Sequence, residues 1–371
     1  MEEKLFPTAP IGSYPRPLWF NLGIGRRDFK AAMAESAFRE QYLDALAVII
    51  SDQERAGMDI VSDGDIRTDA QAGGRGWFFY LIDRLSGYTE TADDSNTLWK
   101  KRWGEDSIFA EIIEAYQPPI FTERIGLKIP LRYADMWKLA QERATKPVKF
   151  DGIASVNIAS MCWDRYYKKK ADMTADVSKI LNREYRELVS AGCKKIQIDE
   201  PHVHFTAADP KSTKDQIQAE KDQFNDDVRG VDAEIWAHSC WGNPNQQHAE
   251  DMETISYEKA IPHMLDLKAD VLTFEMSSTG GRDLKFFKDY PTKRKKIGIG
   301  VIDHVSCQVE SPKQVAKLIR QAIKYIDPGQ LVITSDCGFG REGFGRRIAY
   351  YKFKSMVEGA RIVREEIEGK K

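Results

Sequence analysis

The chain has 371 residues, 42% hydrophobic and 30% charged, and its 55 basic residues nearly balance its 57 acidic ones. This composition is typical of a globular protein with a large core, and a net charge of −2 excludes an extended basic surface for nucleic acid or anionic membrane. No apolar run reaches the roughly eighteen residues of a transmembrane span. The acidic start MEEKLFPTAPIGS does not resemble a signal peptide, so we expect a cytoplasmic protein.

Eight short apolar segments alternate with stretches of helical periodicity. Each segment ends in polar residues, and in chain order they read TAPIGSYP, MDIVSDGD, PVKFDGIAS, KKIQIDEP, EIWAHSC, DVLTFEMS, KIGIGVIDH and QLVITSDCG. The helix candidates among them span 35–57, 175–191, 212–227, 311–325 and 344–367. Near-continuous apolar strands that alternate with helices indicate a parallel sheet. Eight such units predict an α/β fold, a (β/α)8 TIM barrel, with residues 1–371 in a single domain.

A ninth strand candidate, PPIFTERI at 118–125, does not fit this count. Together with the aromatic-rich stretch 76–117 it predicts a long excursion, at about 76–125, between the second and third barrel strands. The sequence leaves open whether this excursion is a small subdomain or a lid.

Nearly every predicted barrel strand ends on an ionisable group, a hydroxyl or a thiol. In chain order these residues are Ser13, Asp65, Asp199 with Glu200, His238 with Cys240, Glu275, Asp303 with His304, and Cys337. The carboxyl ends of barrel strands meet at one mouth, where the active sites of such barrels are built. We therefore expect a reaction centre at this mouth.

Four residues at these strand ends carry side chains that zinc prefers. His238 and Cys240 end the fifth strand, Glu275 the sixth and Cys337 the eighth. Taken singly, the histidine or a cysteine could be a buried core residue, whereas a carboxylate that closes an apolar strand needs a partner. Ligands spread over several strand ends, rather than paired on local loops, indicate a catalytic zinc site.

The remaining cysteines are widely scattered, which indicates thiols rather than a disulfide framework. Cys162 and Cys193 lie in apolar surroundings and are expected in the core. Cys307 lies near the predicted mouth, and its role is open.

A zinc site of this composition suits thiol activation. A free thiol has a pKa of about 8.5 and is mostly protonated at neutral pH. On zinc it becomes a thiolate, the competent nucleophile. We expect the oxygen donor Glu275 to give way to a substrate thiol, which would be alkylated while metal-bound.

The segments APIGSYPRP, IQIDEP, HSC, LTFEMS and SDCGF, in this order, resemble the catalytic domain of cobalamin-independent methionine synthase. The resemblance runs from about residue 8 to residue 365, and the combined motif set is specific where any single motif is not. It implies a zinc-containing (β/α)8 barrel that transfers a methyl group to the thiol of homocysteine, giving methionine.

The resemblance also implies roles for single residues. Ile11 and Ser13 match the segment that holds the carboxylate of the amino-acid substrate, although a simple β-turn would explain them too. Asp199 matches the carboxylate that pairs with the substrate ammonium, and Asp65 matches a family glutamate with a similar task. Both aspartates would also suit helix N-caps. The residues that match the family's zinc ligands are His238, Cys240, Glu275 and Cys337.

The methyl-donor side departs from the family pattern. Trp163 matches the position that presents an indole to the pterin, or is a core aromatic. Val305 occupies the position of the family histidine thought to donate a proton to the pterin, and His304 lies one residue earlier. A one-residue shift turns a strand side chain to the other face, so His304 is a catalytic candidate only if the backbone bulges. His202 and His204, absent from the family pattern, either contact a different donor or are ordinary loop residues.

The full-length family enzyme has two related barrels, whereas this chain provides one. The family's other barrel helps to hold the polyglutamate tail of the folate donor. Because we expect a single barrel here, the donor partner is open between methyl-folate, methylcobalamin and a methyl-corrinoid protein. We expect zinc-dependent methyl transfer to homocysteine. One alternative is alkyl transfer to another thiol, as in epoxyalkane:coenzyme M transferase, although coenzyme M has no amine for Asp65 and Asp199. Another is a non-catalytic zinc barrel that binds a corrinoid protein.

Overall fold

The computed structural model describes residues 4–68, 75–89, 119–241, 256–292, 294–340 and 345–369, with the backbone alone for 75–77. Within these ranges no helix is both long and apolar enough to cross a membrane. The described strands are β1 (Thr8–Ala9), β2 (Val61–Ser62), β3 (Leu85–Thr89), β4 (Ile120–Leu127), β5 (Val148–Ile153), β6 (Trp163–Asp164), β7 (Lys195–Asp199), β8 (Glu234–Ser239), β9 (Val271–Phe274), β10 (Lys296–Gly300) and β11 (Leu331–Thr334).

Eight of these strands form one sheet with the order β1-β11-β10-β9-β8-β7-β5-β2, and every pair in it is parallel. The two outer strands of this order meet, because the N–H groups of Asp59 and Ile60 donate to the carbonyl oxygen of Thr8 at 3.2 and 3.0 Å. The sheet thus closes on itself. The predicted (β/α)8 barrel is confirmed, and each predicted apolar segment contains one of its strands.

Helices surround the barrel and match the predicted candidates. Capping boxes begin two of them, at Thr213 and at Ser311, and left-handed glycines end two others, at Gly57 and Gly192. The described α-helices are Phe29–Ala34, Ser36–Ala56, Arg75–Ile82, Tyr133–Gln141, Ser155–Ser160, Lys170–Ala191, His202–Ala208, Lys214–Asp227, Ile261–Met264, Pro312–Ala322 and Arg346–Glu368, with 3-10 turns at Leu284–Lys288 and Pro328–Gln330.

The interior of the barrel is filled in two layers. Strand residues alternate between the two faces of a sheet. The neighbours of Trp236 on β8 belong to the large core between strands and helices, whereas Trp236 belongs to a separate small apolar cluster with Ala9, Ile60, Val271 and Val332. Lys149 lies next to this cluster, with its Nζ 5.5 Å from the centre of the Trp236 ring. An apolar plug thus lies beneath a buried polar layer that faces the mouth.

The excursion between the second and third barrel strands contains the helix Arg75–Ile82 and the strands β3 and β4. These two strands belong to a separate small sheet of the order β3-β4-β6, whose third strand comes from the segment that follows β5. The hairpin of β3 and β4 is antiparallel, and β6 joins it in parallel. The ninth strand candidate therefore belongs to this second sheet. The rest of the predicted excursion, residues 90–118, lies outside the described residues.

Candidate metal centre and substrate pocket

The ligand atoms of His238, Cys240 and Cys337 lie within 4.8 Å of one another at the barrel mouth, and all three residues are buried. The two Sγ atoms are 3.9 Å apart. Two thiolates on a tetrahedral zinc ion, with Zn–S bonds of about 2.3 Å, would lie about 3.8 Å apart. The sulfur spacing thus fits a shared zinc ion without movement of either strand.

The imidazole of His238 is oriented by a side chain outside the candidate metal cluster. Its Nδ1 lies 2.8 Å from Thr273 Oγ1 on the neighbouring strand, where the register pairs the two residues. Its Nε2 is buried without a hydrogen-bond partner in the described part of the chain. A buried ring nitrogen without a partner costs free energy unless a ligand occupies it. This arrangement, with Nδ1 held by an outer partner, is the one that metal-binding histidines adopt.

The cysteines differ in their acidity. Contact with Cys240 and the nearby His238 ring hold the pKa of Cys337 well below its ordinary range, although burial opposes them. Burial alone raises the pKa of Cys162, and burial is the main cause that raises the pKa of Cys193 to about 11. These two residues lie in the core, as predicted. Cys307 is exposed.

Glu275 lies between this cluster and a second group of acidic and imidazole side chains. Its Oε1 is 3.9 Å from His304 Nδ1, and its Oε2 accepts a hydrogen bond from the Trp241 N–H at 3.3 Å. Burial, followed by the charges of Asp336 and Cys337, raises the pKa of Glu275 well above its ordinary range. The predicted fourth ligand thus faces His304 in this structure, next to the three-residue cluster.

Asp336, which we did not single out from the sequence, anchors the loop that carries Glu275. Its carboxylate accepts hydrogen bonds from the backbone N–H groups of Met276, Ser277 and Ser278, each at 2.9 Å. Both of its oxygens are engaged in this way, so Asp336 has a structural task although its carboxylate lies close to Glu275 and His304. Its place in the motif SDCGF, directly before Cys337, was the only signal in the sequence.

Tyr257 links the two strands that carry the candidate ligands. Its hydroxyl donates to the carbonyl of Ser239, between His238 and Cys240, at 3.0 Å, and accepts from the N–H of Glu275 at 3.4 Å. The tyrosine ring packs against His204 at a centroid distance of 4.3 Å. Tyr257 therefore holds the backbone of both segments that carry candidate metal ligands.

The two unexpected histidines lie in the helix His202–Ala208, so the loop interpretation was wrong: the chain after β7 turns directly into a helix. His204 is fully buried, and its burial lowers its pKa to about 4, so its ring is neutral at pH 7. Nε2 of His202 lies 3.2 Å from the hydroxyl of Ser160.

The predicted carboxylate-binding segment is in close contact with the loop after β11. The N–H of Ile11 donates to Ser335 Oγ at 3.3 Å, and Ser13 Oγ accepts from the N–H of Gly340 at 3.1 Å. A Cβ atom on Gly338 would lie 2.5 Å from the backbone nitrogen of Ser13, so the two loops require glycine at this position. The structure thus places Ile11 and Ser13 beside the segment that carries Cys337.

The two predicted ammonium-binding aspartates differ in their surroundings. Asp65 has a left-handed backbone, and its Oδ1 lies 2.9 Å from Nη1 of the buried Arg67, which also contacts Asp63. Asp199 pairs in register with His238 and accepts a hydrogen bond from Gln197 Nε2 at 2.9 Å. Burial raises the pKa of Asp199, whereas the nearby His238 lowers it. Asp65 is thus neutralised by a neighbour from its own loop, and Asp199 lies beside the candidate metal cluster.

Trp163 lies on β6, which follows the third barrel strand and pairs with β4 of the excursion, and it is half-buried. Its backbone N–H donates to the carbonyl of Pro119 at 2.9 Å. This position ties the predicted donor-side residue to the excursion rather than to the barrel strands.

Comparisons with known proteins agree with the geometry. Residues 6–362 match the family described as "Cobalamin-independent synthase, Catalytic domain". The chain is 29% identical over 366 residues to a methionine synthase of Saccharolobus solfataricus, covering 99% of this chain and 97% of that protein. It is 28% identical over 369 residues to one of Sulfolobus acidocaldarius, covering 100% of this chain and 95% of that protein.

The solved structures that resemble this chain share its fold. One is a B12-independent methionine synthase from Shewanella sp. W3-18-1 in complex with selenomethionine, with a TM-score of 0.76, 22% identity, and coverage of 98% of this chain and 99% of that one. Another, from Listeria monocytogenes, has a TM-score of 0.65, 15% identity, and coverage of 97% and 99%. The predicted methyltransferase assignment is therefore confirmed, and the chain belongs to the family of cobalamin-independent synthase catalytic domains.

Proposed function

We propose that the protein transfers a methyl group to the thiol of L-homocysteine, giving methionine, with a zinc ion as cofactor. The observation that carries this proposal is the convergence of His238, Cys240 and Cys337 at one end of the barrel, with a buried His238 nitrogen that has no hydrogen-bond partner among the residues that the structure describes. Two thiolates, an imidazole and the nearby carboxylate of Glu275 make a donor set that zinc prefers.

The bound metal would lower the pKa of a substrate thiol, so that the thiol is a nucleophile at neutral pH. His238, Cys240 and Cys337 would hold the metal, and Glu275, which already contacts the His304 side, would be the ligand that gives way. Asp199 would bind the substrate ammonium, with the Arg67-paired Asp65 as a second acidic group in reach. The segment of Ile11 and Ser13 would hold the substrate carboxylate. Together, the metal, the acidic groups and this segment would hold homocysteine with its sulfur directed toward the methyl donor.

On the donor side we propose Trp163 as a stacking surface and His304 as the proton donor. His304 is buried, and its Nδ1 lies 3.9 Å from Oε1 of Glu275. A movement of Glu275 would therefore change the surroundings of the His304 ring. The donor itself is methyl-folate, methylcobalamin or a methyl-corrinoid protein. A thiol without an amine is the weaker candidate, because the buried carboxylate of Asp199 pairs in register with His238 and could bind an ammonium beside the proposed metal.

A substitution with a matched control tests the proposal. Cys337→Ala should lose zinc and lose methionine formation together, whereas Cys193→Ala, a buried cysteine of the core, should keep both. Zinc is counted by atomic absorption, and methionine is measured with a panel of methyl-folate mono- and polyglutamate, methylcobalamin and simple S-methyl compounds. Full activity in Cys337→Ala would overturn the zinc-thiolate mechanism.

A further inference from the structure

A chain of buried polar side chains runs inside the barrel beneath Asp199. Lys149 is fully buried, and its ammonium contacts the carboxylate of Asp151 and Oε1 of Gln197. Gln197 is also fully buried, and its Nε2 donates to Asp199 Oδ1 at 2.9 Å. None of these three residues beneath Asp199 has a part in the proposed chemistry so far.

The chemistry of lysine determines which way the glutamine amide points. An ammonium group only donates hydrogen bonds, so the amide atom that faces Lys149 must be the carbonyl oxygen. The amide NH2 of Gln197 is then directed at Asp199 and can only donate to it. A protonated Asp199 that offered its own O–H toward this amide would meet a second donor. The chain of contacts thus favours Asp199 as an acceptor whose Oδ1 is held in place.

We propose that Lys149 and Gln197 are positioning residues that fix the orientation of the Asp199 carboxylate and thereby set the selectivity for thiols that carry an amine. The inference rests on the proposed function, in which Asp199 binds the substrate ammonium. Lys149 and Gln197 act through Asp199 and do not touch the substrate. The strand register supports this, because Asp151 pairs with Gln197 and Asp199 pairs with His238, one layer closer to the mouth.

The test compares two ligands that differ only in the amine. L-Homocysteine and 4-mercaptobutanoate have the same thiol and carboxylate, and each is titrated calorimetrically into zinc-loaded protein. The wild type should prefer homocysteine. Gln197→Met and Lys149→Met should each reduce this preference by about ten- to a hundredfold, the effect of one hydrogen bond to a charged group. The affinity for 4-mercaptobutanoate should change little.

Gln53→Met is the matched control. Gln53 is a fully buried glutamine that bonds the backbone of Ser62 from the helix Ser36–Ala56, outside the polar layer. It should leave the ligand preference unchanged. The preference is a ratio of two affinities measured on one protein preparation, so a partial loss of folded protein affects both affinities equally and cancels. If one of the two test variants does not fold, the other alone tests the proposal.

The outcomes separate the inference from the proposed function. An unchanged preference in the Gln197 and Lys149 variants, or an equal loss of affinity for both ligands, would overturn the positioning role while the wild-type preference still supports homocysteine as substrate. A wild type that binds both thiols equally would instead contradict the ammonium-binding role of Asp199 in the proposed function, and with it the positioning role of Lys149 and Gln197.

Discussion

Two sides of the barrel mouth are built differently: the proposed thiol side, around Asp199, His238 and Glu275, and the excursion side, around Trp163. On the proposed thiol side, Asp199, His238 and Glu275 end or follow adjacent parallel strands and are buried. Thr273 contacts the His238 ring, and Tyr257 bonds the backbone of Ser239 and Glu275. On the excursion side, Trp163 is half-buried on a short strand of a separate sheet, and the neighbouring Tyr166 is 50% exposed.

Under the proposed function, this difference implies that the chemistry of the thiol and the recognition of the donor are separable. A metal centre needs ligands held to within a fraction of an ångström, which strand ends in a packed barrel provide. A donor site on an added sheet can vary without disturbing those ligands. Variants on the thiol side should therefore affect metal and homocysteine, and variants on the excursion side should affect only the donor.

Removal of the metal should have the largest effect. After treatment with a chelator we expect homocysteine binding to be lost while the chain stays folded, because backbone hydrogen bonds close the barrel and a large core surrounds it. Circular dichroism and calorimetry on the same sample check this. Unfolding on chelation would show that the metal is structural instead.

Thr273→Val should come next. It removes the hydroxyl that holds His238 Nδ1 and keeps the shape of the side chain, so zinc affinity should fall about ten- to a hundredfold. The control is Thr334→Val, whose hydroxyl is buried without a hydrogen-bond partner among the residues described. Competition with a metal indicator measures both. Equal zinc affinity in the two variants would contradict a supporting role for Thr273.

Tyr257→Phe should have a smaller effect on the zinc affinity. The variant leaves the carbonyl of Ser239 and the N–H of Glu275 without this partner, so it should lose about 1–3 kcal/mol of stability and also bind zinc more weakly. Tyr185→Phe is matched, because the Tyr185 hydroxyl bridges the N–H and carbonyl of Ile153. Urea unfolding should show similar losses in both, and only Tyr257→Phe should shift the zinc affinity.

Trp163→Phe should have the smallest effect, confined to the donor. We expect a several-fold rise in KM for the methyl donor, with zinc content and homocysteine affinity unchanged. Steady-state kinetics and calorimetry on one preparation give all three values. A parallel loss of homocysteine affinity would show that the two sides of the mouth are coupled.

The sequence predicted the barrel because its eight apolar segments and intervening helices follow a regular pattern, and the ends of parallel strands must meet. It also pointed to His238, Cys240 and Cys337, whose ligand atoms the structure brings together. Binding of zinc by these residues stays a prediction, as do the substrate-binding roles.

The features that could not be predicted from the sequence depend mainly on which side chains face each other across strands. The support of His238 by Thr273 and the polar chain from Lys149 to Asp199 both require the register, which a single sequence does not show. The salt bridge of Asp65 with Arg67 depends instead on the conformation of their shared loop. A signal was present, since Lys149, Asp151 and Gln197 interrupt apolar strands at alternate positions. The position of Glu275 beside His304 depends in turn on the loop that Asp336 anchors.

Zinc-edge X-ray absorption on the zinc-loaded protein, before and after addition of homocysteine, tests the central claim most directly. With Cys240 and Cys337 as ligands, the zinc-loaded protein should show two sulfur neighbours, and homocysteine should add a third as an oxygen neighbour is lost. A sulfur count that does not change with homocysteine would contradict an account in which the metal binds the substrate thiol.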